Sequence, residues 1–313
     1  MKPDVLLIEP TMAEIEAKLD LAYTMHRLFK SKDPEGFLRD VGARIRGVAT
    51  GGGSGVAPAI MDALPSLEII AINGIGTDAV DLAKAKARGI RVTTTPNVLT
   101  DDVADLGLAL LLATARSLCV GDRFVRAGSW SESKVLPLGA KVSGKRLGIF
   151  GMGRIGREIA ARAQGFKMSI AYTDLRRMED LPYDFFVSAE TMAANVDFFV
   201  VAAAGGAQSR GAIGKDVLNA LGPEGILVNI ARGSVVDEPA LVSALVEGRL
   251  GGAGLDVFAD EPNVPEALLV LDNVVLQPHR ASATFDTRVA MGDLVLANLA
   301  AHFAGRELKT PVV

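Results

Sequence analysis

The sequence predicts an α/β fold with two doubly wound parallel sheets. Short apolar runs alternate with helical stretches along nearly the whole chain, as they do where crossover helices join parallel strands. The runs show no alternation of polar and apolar residues, so both faces of each sheet are expected to be covered. A polar interval separates two groups of runs, and 313 residues suffice for two domains.

The two groups of apolar runs predict the strands of the two sheets in order. The first group lies at residues 5–8, 46–49, 67–72 and 90–92. A helix is predicted within this group over residues 79–88. The second group lies at residues 146–150, 168–173, 197–202, 226–230, 254–258 and 274–276.

A long apolar helix is predicted at the boundary between the groups. Thr100 supplies an N-cap hydroxyl, and Asp101 and Asp102 place carboxylates at the positive end of the helix dipole. The helix should run to about residue 118, apolar on nearly every side, as expected of a helix wedged between two domains. A final helix over residues 284–303 is long enough to return to the first domain.

Composition and charge argue against several classes of protein. The chain has 33 Lys and Arg against 37 Asp and Glu, a formal charge of −4, and we therefore expect no nucleic-acid partner. The three histidines are far apart, so no metal site is predicted. Cys119 is the only cysteine, which fits a reducing cytoplasm. No secretory signal is evident, and the most apolar stretch, residues 106–115, is about half the length of a membrane span.

Residues 51–55 form the glycine-rich segment GGGSG. Such a composition is also found in flexible linkers. Because the segment directly follows an apolar run, we interpret it as a loop at the carboxyl end of a strand, where α/β proteins place backbone that binds ligands.

The segment GMGRIG, residues 151–156, is the strongest local motif. It follows the predicted strand RLGIF and begins a helix, and the next predicted strand ends at Asp174. In that setting Gly151 permits a tight turn, Gly153 lets the backbone approach a pyrophosphate, and Gly156 allows the helix to pack against the strand. The motif therefore predicts a dinucleotide site.

The residues that follow the predicted strand at 168–173 do not decide whether the dinucleotide is NAD or NADP. Asp174 lies where a carboxylate would bind the adenosine ribose and repel a 2′-phosphate, which favours NAD. Arg176 and Arg177 follow at once and would pair with that phosphate, unless they belong to a solvated loop.

Three polar segments follow later strands of the second group, at residues 229–238, 254–262 and 277–284. They carry Arg232, Glu261 and His279, and each residue taken singly has an ordinary structural explanation. Together, after a dinucleotide motif and at the sheet edge where cofactors bind, they predict chemistry on a 2-oxo acid.

The sequence resembles the D-isomer-specific 2-hydroxyacid dehydrogenase family over essentially its full length. The segments GMGRIG, NIARGSVVDE, GLDVFADEP and PHRASAT match the family pattern in order and spacing. The connection at residues 127–144 and the overall length look most like the glyoxylate/hydroxypyruvate reductase branch. The resemblance implies a Rossmann cofactor domain, residues 99–285, inserted in a flavodoxin-like substrate domain, residues 1–98 plus 286–313.

The resemblance also implies roles for individual residues. Arg232 would bind the substrate carboxylate and polarise its carbonyl, His279 would transfer the proton, and Glu261 would hold the imidazole and favour its protonated form. Asp256 would lie near the nicotinamide carboxamide. The implied cofactor-binding residues are Gly151, Met152, Gly153, Arg154, Ile155, Gly156, Asp174, Arg176, Arg177, Ala203, Ile230, Ala231, Asp256 and Ala281. The implied substrate-binding residues are Gly52, Ile75, Gly76, Arg232 and His279.

Two positions depart from the family pattern, and three further features have two interpretations. The family usually has Gly at Ala281 and commonly Pro near Ala204. Arg280 either reaches the pocket or points to solvent, and we favour solvent. Trp130 either lines the partner subunit's pocket in a homodimer or belongs to the core. The turn NGIGTD, which carries Ile75 and Gly76, is either a substrate loop or an ordinary strand-to-helix turn, and we favour the substrate loop.

The sequence as a whole predicts a reductase of small 2-oxo acids that forms the D-2-hydroxy acid, with glyoxylate and hydroxypyruvate as first substrates. The branch often prefers NADPH, so we favour NADP(H) over NAD(H). Reduction of 4-hydroxyphenylpyruvate or phenylpyruvate is the alternative, and a dinucleotide-sensing binding protein like the family's co-repressors is a second hypothesis. We expect a cytoplasmic homodimer with no membrane partner.

Overall fold

The computed structural model describes residues 2–132 and 134–313. The chain divides into two compact units. Unit 1 comprises the residues up to Leu99 together with Ser282–Val313, and unit 2 comprises Thr100–Ala281. The sequence analysis placed the boundaries at 98/99 and 285/286. The first differs from this division by one residue, and at the second residues 282–285 group with the final helix, which Thr284 caps.

Unit 1 contains a sheet of parallel strands in the spatial order β2-β1-β3-β4-β5. This is the flavodoxin-like order that the resemblance implied. The strands are β1 Asp4–Leu7, β2 Thr24–Arg27, β3 Ile45–Gly51, β4 Ile69–Asn73 and β5 Arg91–Thr93. The helices are α1 Ala13–Ala22, α2 Pro34–Val41, α3 Pro58–Asp62, α4 Leu82–Ala87 and α12 Phe285–Phe303.

The helix α12 completes one side of the unit 1 core. Val295 and Leu299 of α12 are buried in the same apolar cluster as Val5 of β1 and Ile69 of β4. Gly292 allows α12 to pack closely on α1, because a Cβ at that position would lie 2.5 Å from the side chain of Ile15. One face of the sheet is therefore covered in part by residues that are distant in sequence from the strands.

Unit 2 contains a second parallel sheet, in the order β12-β11-β10-β9-β6-β7-β8. Its strands are β6 Arg146–Phe150, β7 Ser169–Thr173, β8 Asp184–Phe185, β9 Phe198–Val201, β10 Ile226–Asn229, β11 Gly252–Leu255 and β12 Val274–Leu276. Its helices are α5 Thr100–Ala115, α6 Leu118–Arg126, α7 Arg154–Gln164, α8 Ala189–Ala193, α9 Lys215–Leu221, α10 Glu238–Val246 and α11 Glu266–Leu269.

The strand order of unit 2 reverses between β6 and β9. In doubly wound sheets the crevice at such a switch point, outside the carboxyl ends of the strands, is where nucleotides bind. The segment GMGRIG, residues 151–156, is called the glycine loop below. It follows β6, so the topology places it at this switch point. The two parallel α/β sheets confirm the predicted fold class.

Two strands were not predicted, and one predicted helix is divided in two. The strand β2, with the sequence TMHR, is polar and partly exposed, and β8 has only two residues, so neither shows an apolar run. The predicted helix from residue 100 stops at Ala115, and α6 begins separately at Leu118. Thr100 lies inside the first turn rather than at the cap.

Trp130 is 73% exposed, so the interpretation as a core tryptophan is wrong. It lies in the short 3₁₀ turn Ser129–Glu132 beyond α6, and the connection that continues from it forms no strand or α-helix in its described part. Within that connection, Ser133 lies outside the described residues.

In the described parts of the chain, no single helix is long and apolar enough to cross a membrane. The helices α5 and α6, which meet at a bend of 61°, are together long and apolar enough to do so by length and composition alone.

Candidate active site

The glycine loop joins β6 to α7 and has little room for side chains at two of its glycines. Gly151 has a φ of +96°, and a Cβ there would lie 2.5 Å from the backbone of Ala203 in the loop after β9. A Cβ at Gly156 would lie 2.2 Å from the carbonyl oxygen of Gly151. At Gly153, by contrast, no described atom lies within 4 Å of the Cβ position. Two of the glycines thus shape the turn, and the third leaves open space beside it.

A cleft of about 880 Å³ opens beside this loop. The first turn of α7, from Arg154, leaves backbone amides without helical partners, and a helix N-terminus favours phosphate. The open position at Gly153 and the size of the cleft fit a dinucleotide, with the pyrophosphate at the loop. The cleft is lined by Phe150, Gly151, Gly153, Thr173, Asp174, Leu175, Val187, Ser188, Ala189, Ala202, Ala203, Ala204, Gly205, Gly206, Ala207, Gln208, Ser209 and Ala212.

Asp174 lines the cleft, but its carboxylate is engaged by the backbone. Oδ2 accepts a hydrogen bond from the amide of Met152 at 2.7 Å, and Oδ1 accepts one from the amide of Leu175 at 2.7 Å. Arg176 and Arg177 are exposed. Asp174, which we expected to bind the ribose, therefore holds the glycine loop in place through the amide of Met152.

The other predicted cofactor residues lie in three places. Met152 is buried behind the glycine loop, whereas Arg154 and Ile155 begin α7. Ile230 and Ala231 are buried in the loop after β10. Ala203, which lines the cleft, completes the set on the β9 side, and Ala281, on the loop after β12, is buried.

The loop after β10 carries Arg232 and is shaped by Asn229. The buried Asn229 side chain accepts a hydrogen bond from the amide of Ala231 at 3.0 Å and donates one to the carbonyl of Arg232 at 3.0 Å. The Arg232 guanidinium donates to the carbonyl of Ala231 at 2.7 Å. One side-chain amide thus fixes the turn that presents the arginine.

His279 and Glu261 form a hydrogen-bonded pair, with Nδ1 of the histidine 2.7 Å from Oε2 of the glutamate. The other glutamate oxygen, Oε1, accepts from the amide of Phe258 at 3.0 Å. Because Glu261 holds Nδ1, Nε2 is the ring nitrogen available to a substrate, and it has no hydrogen-bond partner among the described residues.

The environment of Glu261 favours its ionised form. Burial alone would raise the pKa of Glu261, but the hydrogen bonds from His279 and Phe258, together with the positive charges of His279 and Arg232, hold that pKa below its usual value. The carboxylate is therefore charged at neutral pH and stabilises positive charge on the imidazole.

Asp256 anchors the segment that carries the histidine. Its fully buried carboxylate accepts hydrogen bonds from the amides of Arg280, at 2.7 Å, and Ala281, at 2.9 Å. The carbonyl of Asp256 accepts from the amide of His279 at 2.8 Å. Burial raises the pKa of Asp256 despite these hydrogen bonds. The carboxylate of Asp256 thus holds the two amides that follow His279, and its carbonyl holds the amide of His279 itself, which has a φ of +51°.

Gly233 brings the loops that carry Arg232 and Glu261 into close contact. A Cβ at this position would lie 1.9 Å from the backbone carbon of Phe258.

We expect Gly233→Ala to separate the two loops and to lower the free energy of unfolding by about 1–3 kcal/mol, with a large loss of activity. Thermal unfolding and steady-state kinetics measure both effects. Gly214→Ala is the control, because the nearest atom to its Cβ position is 3.7 Å away. Equal behaviour of the two variants would show that the contact at Gly233 is unimportant.

The predicted substrate residues of unit 1 lie on two adjacent loops. Residues 51–55 form a hydrogen-bonded turn rather than a flexible linker, because Thr50 Oγ1 donates to the carbonyl of Gly55 at 2.6 Å. A Cβ at Gly74 would lie 3.2 Å from the backbone of Gly52, so this turn touches the loop that carries Ile75 and Gly76. Ile75 is 42% exposed.

Two supporting residues received no role in the sequence analysis. Asn229 begins the segment NIARGSVVDE at the end of an apolar strand. Nothing in that sequence indicates that its side-chain amide bonds the backbone of the turn that follows. Glu238 accepts from the amide of Ala259 at 2.9 Å, a contact across 21 residues that no local pattern reveals. Arg280 is exposed, in agreement with the solvent interpretation.

A switch-point cleft beside a glycine loop is typical of dinucleotide-dependent enzymes. The histidine–glutamate pair on the same sheet edge is of the kind that general acid–base catalysis uses.

The comparison with known proteins narrows this class. The family model for the D-isomer specific 2-hydroxyacid dehydrogenase NAD binding domain matches residues 108–281. The chain therefore belongs to the D-isomer-specific 2-hydroxyacid dehydrogenase family, it is an oxidoreductase, and its cofactor is a nicotinamide dinucleotide.

Individual relatives cover nearly the whole chain. A 2-ketogluconate reductase of Gluconobacter oxydans is 46% identical over 312 residues, which cover 100% of this chain and 99% of the relative. A hydroxyphenylpyruvate reductase of Plectranthus scutellarioides is 47% identical over 309 residues, 99% of this chain and 98% of the relative. The crystal structure of an NADPH-dependent glyoxylate/hydroxypyruvate reductase from Sinorhizobium meliloti, in complex with NADP and malonate, has a TM-score of 0.92 at 42% identity, covering 100% of this chain and 97% of that one.

Proposed function

We propose that this protein reduces a small 2-oxo acid to the D-2-hydroxy acid with a reduced nicotinamide dinucleotide. The observation that carries the proposal is the His279–Glu261 pair, joined at 2.7 Å on the same sheet edge as the glycine loop. Full-length relatives that reduce 2-oxo acids support it, and they weigh against a binding protein without activity.

The residues of the chain divide the reaction between them. Arg232 binds the substrate carboxylate and polarises the carbonyl with its planar, permanently charged guanidinium. A bound dihydronicotinamide supplies the hydride that the carbonyl carbon accepts. His279 donates a proton from Nε2 to the carbonyl oxygen, which completes the hydroxyl group, and takes that proton back in the oxidative direction.

Glu261 orients the proton donor and places a negative charge beside it. Its low pKa means that the carboxylate stabilises the imidazolium at every pH above that pKa, and the stabilisation is lost as the pH falls through it.

We expect Glu261→Gln to lower kcat/KM for reduction by about 10–100-fold, because a neutral amide neither places a negative charge beside the imidazole nor orients it as the carboxylate does. Steady-state rates with a 2-oxo acid measure this loss. Glu68→Gln is a matched control, since Glu68 accepts from His302 at 3.0 Å in unit 1. Wild-type kcat/KM in Glu261→Gln would exclude this role for the carboxylate.

Glyoxylate and hydroxypyruvate are our first substrates, in line with the Sinorhizobium enzyme. 4-Hydroxyphenylpyruvate or phenylpyruvate is the alternative, which the Plectranthus relative supports. The Gluconobacter relative adds 2-ketogluconate, a longer polyhydroxylated 2-oxo acid that the motifs did not suggest. The proposed carboxylate contacts in unit 1 are the backbone amides of Gly52, Ile75 and Gly76.

We further propose NADP(H) over NAD(H). The carboxylate of Asp174 is engaged by the amides of Met152 and Leu175, whereas the two following arginines are exposed. Positive side chains at this position suit a 2′-phosphate.

A homodimer is also proposed, formed through α6 and the connection that follows it. None of the residues of α6 is buried, and large apolar side chains are exposed along this stretch, as at a protein interface. The exposed residues are Leu118, Val125, Trp130, Val135 and Leu138. Sedimentation of the purified protein measures the oligomeric state.

The test of the proposed function is a steady-state panel of NADH and NADPH against glyoxylate, hydroxypyruvate, pyruvate, phenylpyruvate, 4-hydroxyphenylpyruvate and 2-ketogluconate. We expect the highest kcat/KM with NADPH and glyoxylate or hydroxypyruvate. Failure of every 2-oxo acid with both dinucleotides would refute the proposed reaction.

A further inference from the structure

The loop after β7, residues 174–180, is held at both of its ends. This post-β7 loop begins with Asp174 at the cleft and carries Arg176 and Arg177. At the first end, the Asp174 carboxylate accepts from the amide of Met152 at 2.7 Å. That bond ties the start of the loop to the glycine loop.

Tyr172 holds the far end of the loop from inside the core. Its side chain is fully buried, and its ring packs against Phe185 with the centroids 5.3 Å apart. The hydroxyl accepts a hydrogen bond from the amide of Met178 at 2.7 Å and donates to the carbonyl of the same residue at 3.4 Å. A buried phenol thus satisfies both backbone groups of one loop residue, because its hydroxyl both donates and accepts.

A salt bridge to α7 reinforces this end. Arg157 donates to both carboxylate oxygens of Asp180, at 2.6 and 3.2 Å, in a bidentate arrangement. The hydrogen bond from Arg157 lowers the pKa of Asp180. The contact is exposed, so we assign it an orienting effect rather than a large contribution to stability.

Between the two fixed ends lie the arginines. Within the part of the chain that the structure describes, the exposed side chains of Arg176 and Arg177 make no hydrogen bond or ion pair. Two adjacent cations without protein partners are therefore carried on a loop whose backbone has little freedom. Such an arrangement lowers the entropic cost of binding one anionic group.

We propose that Tyr172 is a positioning residue for recognition of the adenosine 2′-phosphate. Its hydroxyl holds Met178, and Met178 sets the course of the post-β7 loop so that Arg176 and Arg177 are presented together. This inference rests on the proposed preference for NADP(H). It adds a buried determinant of dinucleotide choice that does not itself contact the dinucleotide.

The test is the Kd of NADPH and of NADH, measured by fluorescence titration in the absence of substrate. Tyr172→Phe removes the hydroxyl and keeps the ring, and we expect it to raise the Kd of NADPH about five- to tenfold with the Kd of NADH within about twofold. Asp180→Asn weakens the salt bridge between Arg157 and the same end of the loop without changing the core. It should also raise the Kd of NADPH. Tyr23→Phe, at a buried tyrosine of unit 1, is the matched control.

The outcomes separate this inference from the preference on which it rests. A selective loss of NADPH affinity in Tyr172→Phe and Asp180→Asn supports the positioning role. Equal losses for both dinucleotides, or none, overturn it, because a purely structural contact would not discriminate between them. If the double substitution of Arg176 and Arg177 by Ala leaves the NADPH/NADH ratio unchanged, the proposed preference fails and the inference fails with it. A changed ratio in that double variant alone overturns only the role of Tyr172.

Discussion

Replacing His279 with alanine is expected to lower kcat for 2-oxo acid reduction by about 10³-fold and to leave the Kd of the dinucleotide within about twofold. The variant loses the proton donor at Nε2, whereas the glycine loop and its cleft keep all their contacts. Glu261, which binds Nδ1 of the wild-type histidine, then has no imidazole to orient. Stopped-flow and steady-state rates together with dinucleotide titration distinguish the two effects.

The backbone at this position calls for a second variant. His279 has a φ of +51°, where alanine is strained by about 1–2 kcal/mol and asparagine is tolerated. His279→Asn should therefore be as inactive as the alanine variant but more stable. His302→Gln, at a histidine paired with Glu68 in unit 1, should retain full activity. Turnover near the wild-type level in either His279 variant would rule out its role in proton transfer.

Arg232→Lys is expected to lower kcat/KM by about 10²–10³-fold, although the charge is conserved. A guanidinium donates two parallel hydrogen bonds to a carboxylate, and an ammonium group has no comparable planar fork. The substitution also disturbs the loop itself, because the guanidinium donates a hydrogen bond to the carbonyl of Ala231 at 2.7 Å. We expect both a higher KM for the 2-oxo acid and a lower kcat.

The matched control for this prediction is Arg249→Lys. Arg249 follows α10 in sequence, whereas the Arg232 loop precedes that helix. Its side chain donates to Glu247 and Asn219. Its replacement should leave kcat and KM for the 2-oxo acid unchanged. Should Arg232→Lys retain wild-type kcat/KM, bidentate binding of the substrate carboxylate by this arginine would have to be abandoned.

The apolar runs were sufficient to predict most of the fold because buried parallel strands have a distinctive composition. The strands β6 and β12 have the predicted bounds, and the other predicted strands differ from theirs by one to three residues at an end. The strands β2 and β8 were missed for a physical reason. An edge strand is stabilised by its neighbour's backbone and need not be apolar, so its sequence carries little information.

The motifs located the candidate site, but they did not reveal how it is supported. The spacing of Arg232, Glu261 and His279 after successive strands predicted one sheet edge, and the structure brings Glu261 and His279 into a hydrogen bond there. The buried carboxylate of Asp256 binds the amide of Arg280, 24 residues away along the chain, and Glu238 binds the amide of Ala259, 21 residues away. Such contacts depend on the three-dimensional path of the chain, which residue types alone do not specify.

The division of the chain between the units has a consequence for folding during synthesis. Unit 2 is continuous in sequence, so all of its strands are available once residue 281 has been made. Unit 1 lacks Val295 and Leu299 until α12 follows, and the face of its sheet that they cover stays open to water in the meantime. Since domains generally fold as units, the middle of the chain is expected to fold first on the ribosome, and the portion made earliest is completed last.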